Sequence, residues 1–108
     1  MTIQKILLLA LTLFVTACAS TIQSASISEA YKKYELQEFE RTLELITRAE
    51  NAKETSPEMK AELTYLKAQA YESLGQQKIA NTLYEYLVAQ HKDSQYGHLA
   101  SKKLNVQL

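Results

Sequence analysis

The 108-residue chain has two glycines, one proline, one cysteine and no tryptophan, and its twelve basic side chains balance twelve acidic ones. One cysteine excludes an internal disulfide, so the domain must be held by packing alone. The balanced charge leaves no basic excess to condense on phosphates, and nucleic acid is not an expected partner. Two glycines cannot make a glycine-rich phosphate loop, and no serine sits in a Gly-x-Ser-x-Gly elbow. The only histidines, His91 and His98, are seven residues apart, whereas a helical metal pair wants three or four. No carboxylate pair has the aromatic and glycine surroundings of a sugar site. Glu35, Glu38, Glu40 and Glu44 are interleaved with Lys and Arg as on a solvated helix face. The expectation is a protein with no catalytic residues, no metal, no cofactor and no small-molecule substrate.

Long apolar runs are also scarce, with one exception. Ile6 to Val15 is apolar apart from Thr12 and follows Lys5. Its ten or so residues are too few for a membrane span, which takes roughly twenty, but suit the hydrophobic region of an export signal. The run ends Val15-Thr16-Ala17-Cys18, small residues followed by the single cysteine. This segment resembles the lipobox of bacterial lipoproteins, in which the cysteine is lipidated and becomes the first residue of the mature chain. The resemblance implies a signal peptide over residues 1–17 and a covalent lipid on Cys18. It also implies outer-membrane anchoring with the domain facing the periplasm, because Ala19 stands where aspartate would signal inner-membrane retention. Without Lys5 the mature chain carries eleven basic and twelve acidic groups. Ala19 to Ser26 is small, polar and uncharged, so residues 18–26 read as a lipidated N-terminus and flexible tether. Extended, it reaches at most about 28 Å.

From Ser26 the composition is rich in Ala, Leu, Glu, Gln and Lys, without a convincing period-two stretch, and the class expected is all-α. Ser26-Ile-Ser-Glu29 fits a capping box. Ile27, Tyr31 and Tyr34 recur at helical spacing, then Phe39, Leu43, Ile46 and Ala49, with a slip of phase near Leu36. Residues 27–53 therefore form either a hairpin turning at Leu36-Gln37-Glu38 or one helix with a stutter. Ser56-Pro57-Glu58 starts a helix lined by Leu63, Leu66, Ala70 and Leu74 and ended by Gly75. Ile79, Leu83 and Leu87, with Ala80, Tyr84 and Val88, mark the next. Asp93 or Ser94 caps the last, whose buried side carries Tyr96, Leu99, Ala100 and Leu104.

A helix, a turn at glycine, a second helix and a short link make a unit of about 34 residues. Ala61 to Ser94 resembles one tetratricopeptide repeat. Ala68 and Ala80 stand where helices cross, Tyr71 and Tyr84 where rings fill the groove, and Gly75 at the turn. Thr64, Lys67 and Lys92 depart from the pattern. A degenerate first repeat runs from Ala30 to about Ala49, one residue shorter at its turn and followed by a longer link. The stretch from Tyr84 to Ala100 is similar to repeat junctions of tetratricopeptide lipoproteins of β-barrel assembly and of Tol–Pal coordinators, with His91-Lys92 replacing a tyrosine-proline pair. The implied architecture is two helical hairpins plus a C-terminal capping helix over residues 27–106.

Seven tyrosines remain to be explained. Tyr71, Tyr84 and Tyr96 read as packing residues. Tyr65 falls off the helix seam, on a face shared with Glu62, Gln69 and Glu72. A tyrosine among polar residues suits an interface, since its ring covers a large area at small entropic cost; the alternative is a ring lying over its own neighbouring helix. The expected function is a membrane-anchored protein–protein interaction module of the bacterial envelope, with one or more envelope proteins as partners. The alternative is an obligate small structural subunit of an assembly or secretion machine.

Overall fold

A computed structural model describes the backbone of residues 2–105 and the side chains of Cys18 and residues 20–105. Five helices follow one another: α1 (Thr2–Glu35), α2 (Phe39–Ala52), α3 (Pro57–Ser73), α4 (Gln77–Gln90) and α5 (Gln95–Leu104). The fold is all-α. Helices α1 and α2 form one hairpin, α3 and α4 a second, and α5 packs on α4 and α3. Among the described residues no helix is long and apolar enough to cross a membrane. The side chains of the expected signal peptide, 1–17, and residue 106 lie outside the described residues.

The core falls into two clusters that share α3. One joins Ala30 of α1 and Leu45, Ile46 and Ala49 of α2 to Leu63 and Leu66 of α3. The other joins Ala61 and Ala68 of α3 to Ala80, Tyr84 and Leu87 of α4 and Ala100 of α5. Ala68 and Ala80 are wholly inaccessible, as their place at a helix crossing requires. Ile79 and Leu99, expected on buried stripes, are instead 43% and 37% exposed. Each sits at the edge of its helix's apolar face, where Ala80 and Ala100 occupy the centre.

The two hairpins turn in the same way. Gly75, at φ +79°, lies in the left-handed region, with its N–H donating to the Glu72 carbonyl and the Gln76 N–H to the Tyr71 carbonyl. Gln37, at φ +63°, does the same, with its N–H on Tyr34 and the Glu38 N–H on Lys33. The hairpin reading of residues 27–53 therefore holds. The first turn is not shorter than the second; Leu36, 59% exposed, lies in it and accounts for the slip of phase. The links between hairpins are equal too, each four residues long and each ended by a serine N-cap. Ser56 accepts from the Met59 N–H and Ser94 from the Tyr96 N–H.

Measured between these equivalent points, the repeat is 38 residues. Helix α4 starts 38 residues after α2, α5 starts 38 after α3, and Ser94 follows Ser56 by the same interval. Thr42, Ile46 and Ala49 map onto Ala80, Tyr84 and Leu87, all six at 0% exposure. The unit exceeds the expected 34 by about one helical turn. Helix α3 supplies that turn, at 17 residues against 14 for α2 and α4.

The same register corrects the expectation of a flexible tether. Counting back 38 residues, α3 corresponds to residues 19–35 of α1, with Ala68 over Ala30, and Ser56 to Cys18. Residues 18–26 are helical, and Ser26 is a buried mid-helix residue rather than a cap. The reason is burial: Gln23, 5% exposed, donates its amide to the carbonyls of Ala49 (3.1 Å) and Lys53 (3.0 Å). Carbonyls at a helix C-terminus lack partners within the helix, and Gln23 supplies them. Lys53 Nζ returns a bond to Ser20 Oγ at 3.2 Å.

Three substitutions test this account by circular-dichroism melting. Gln37→Gly should stabilise the chain by about 1 kcal/mol, since a left-handed non-glycine residue costs roughly that much. Gly97→Ala should destabilise it, because a Cβ there would stand 2.1 Å from the His91 carbonyl oxygen, a backbone atom. Ala68→Leu should cost about 1–3 kcal/mol through overpacking.

Candidate functional site

The alternate helices α1, α3 and α5 come together on one face of the molecule. Their contacts recur at one interval. Tyr31 donates its hydroxyl to Glu62 Oε1 at 2.7 Å, the Tyr65 and Tyr96 rings lie 5.8 Å apart, and Lys103 Nζ reaches Glu72 Oε1 at 3.1 Å. Every one of these pairs is 31 residues apart, two helical turns short of the 38-residue repeat. Tyr34, Tyr65 and Tyr96 also stand at that interval, one from each helix. A constant offset along a pair of helices means that they run parallel, so the face is a row of half-buried phenol rings flanked by carboxylates.

Tyr65 is at its centre. Its ring packs 5.8 Å from that of Tyr84, which rises from α4, and at the same distance from Tyr96. The sequence leaves Tyr65 either as an exposed ring on a polar face off the helix seam or as a ring lying over its own neighbouring helix. In the structure it is half-buried, because α5 folds back along α3 and lays Tyr96 against it. Glu62 and Glu72 likewise are not free carboxylates. Glu62 is held by Tyr31; Glu72 accepts from Tyr84 at 2.8 Å as well as from Lys103. The side-chain amide of half-buried Gln69, one turn beyond Tyr65, makes no hydrogen bond among the described residues. Sequence reasoning missed Tyr31, Tyr34 and Lys103. The signal that would have found them is the 31-residue spacing.

The electrostatics follow from this geometry. Burial pushes the Tyr31 and Tyr84 phenols well above their ordinary value of 10.0, and their bonds to Glu62 and Glu72 raise them further. Tyr65 and Tyr96 are also raised, chiefly by burial. Burial alone would raise the Glu72 carboxyl, but the hydrogen bonds from Tyr84 and Lys103 outweigh it and hold the group below the usual range. The same contact raises Lys103. The face therefore presents neutral phenols and the Glu72–Lys103 ion pair. Among the described residues no group of acidic, histidine and cysteine side chains could hold a metal.

Cys18 is exposed and carries a free thiol. No protein-family profile, curated protein or solved structure matches the chain.

The raised phenols imply a stability loss at alkaline pH. In the unfolded chain they ionise near 10, in the folded chain later, so the unfolded state loses its protons first as pH rises. Their contribution is complete below about pH 10 and disappears as pH climbs through the folded values. Titration followed by tyrosinate absorbance should show ionisation of these rings delayed until the helical signal collapses. Tyr84→Phe should lift the Glu72 carboxyl towards its ordinary value, read by NMR of the side-chain carboxyl.

Proposed function

We propose that this protein is a bacterial lipoprotein whose tetratricopeptide-like domain binds another envelope protein. The observation that carries the reading is Cys18 itself: an exposed thiol closing the chain's one sustained apolar run, directly before a packed domain. Multiple acyl chains on that cysteine would make anchoring effectively permanent, since one chain alone binds only marginally. Ala19 after the cysteine favours the outer membrane. The protein-binding half of the reading rests on the row Tyr34, Tyr65 and Tyr96 and on the unbonded Gln69 amide beside it. Anchoring raises the local concentration of that face near membrane-bound partners, so modest contacts are enough.

Two measurements in a diderm bacterium test it. Cys18→Ser should abolish incorporation of radiolabelled palmitate and leave an unprocessed precursor; equal labelling of the variant would overturn the anchor. A photoreactive residue at Gln69 should capture one envelope protein, whereas the same residue at exposed Lys92 should not. Capture that is equal at both positions would remove the tyrosine face as the binding site.

A further inference from the structure

The structure leaves no slack between Cys18 and the domain. By the 38-residue register, Cys18, which lies within α1, occupies the place that Ser56 holds before α3 and Ser94 before α5, immediately ahead of the part of α1 that packs on α2. The helix from Ala19 onward is fastened to the end of α2 within five residues, through Gln23 on Ala49 and Lys53, and Ser20 on Lys53. Five residues of helix rise about 8 Å, compared with about 28 Å for the eight-residue tether that the sequence suggested.

We propose that the domain stands end-on against a lipid surface, with the Cys18 end of the packed part of α1, the α2 end and the link 53–56 facing the bilayer and the hairpin turns at Gln37 and Gly75 directed away. This rests on lipidation of Cys18 and adds an orientation to it. Ile22, a large apolar side chain 49% exposed one turn beyond the cysteine, lies at the same end, where contact with lipid would cover it. Charge is not what holds this end down: Lys53 is offset by Glu54, and Lys60 by Glu58, so anionic lipid gains no net attraction. The occupant is the hydrocarbon and headgroup layer into which the lipid on Cys18 inserts. Tyr31 and Tyr34, thirteen and sixteen residues along α1 from Cys18, then stand about 20–24 Å out from the anchor along the helix. The partner must present its contact at that height.

The test uses the full, processed and lipidated chain in phosphatidylethanolamine vesicles. Because the native thiol is occupied by lipid, single replacements Glu54→Cys and Leu36→Cys can each take a fluorophore selectively. Quenching by headgroup spin-labelled lipid should be at least about threefold stronger at position 54 than at position 36. A twelve-residue Gly-Ser insertion between Cys18 and Ala19 should bring the two positions to equal quenching while the melting temperature stays unchanged. Gln23→Ala, which leaves the chain length intact, should reduce the difference. Equal quenching at both positions in the uninserted chain, or no response to the insertion, would overturn the end-on orientation even though the chain co-sediments with the vesicles. A chain that carries no lipid and fails to co-sediment would overturn the anchoring reading as well.

Discussion

Helix α3 has to be buried on two sides at once, and the rest of the structure follows from how it does so. On one side Leu63 and Leu66 meet α1 and α2; on the other Ala61 and Ala68 let α4 and α5 approach closely. Neither hairpin buries its apolar surface alone, so a chain this short has two half-cores that are complete only when α3 lies between them. At a few kcal/mol of total stability, loss of either half-core would cost the whole domain. The ion pair from Lys67 to Glu50, 2.8 Å long, joins α3 to α2 through a half-buried lysine and an exposed carboxylate, a setting in which it adds little stability.

Much of this was legible in the sequence, and the failures share a cause. Ser56, Pro57 and Gly75 are strong punctuation, and each does in the structure what its chemistry dictates. The first hairpin lacks equivalents: a glutamine takes the left-handed turn position, and Cys18 stands where the other units have serine. With both signals missing, local punctuation points to Ser26, the first residue that could cap, and leaves the half-helix before it looking like tether. What keeps Ala19 to Ser26 helical is tertiary. Gln23 earns its burial by satisfying two carbonyls of α2, contacts 26 and 30 residues away that no local pattern reveals.

The candidate site was legible in part for a related reason. The polar face of α3 could be read from helical spacing, and Glu62, Tyr65, Gln69 and Glu72 do lie along it. What covers that face comes from α1 and α5, and finding it requires the interval between helices. A unit of 34 residues gives the wrong partners; Tyr34, Tyr65 and Tyr96 stand in one row at a 31-residue interval, two helical turns short of the 38-residue repeat. The consequence is chemical as well as geometric. Carboxylates that looked available for a partner are instead engaged by phenols and Lys103, so the proposed recognition would fall to the aromatic surface and the Gln69 amide.

The two ends of the reading meet in α1. Cys18, the residue proposed for lipidation, lies midway along α1, and two phenols of the tyrosine row's face, Tyr31 and Tyr34, stand near its finish, with Ala30 of the first half-core between them. A rigid connection of that kind converts the position of the lipid into the position of the face. A flexible tether would let the face sample a volume and dilute it; a packed helix holds it at one height and one orientation. For the lipid-anchored, partner-binding protein proposed above, such an arrangement would pre-organise contact with a partner fixed in or on the same membrane, where association no longer has to offset the full loss of rotational freedom.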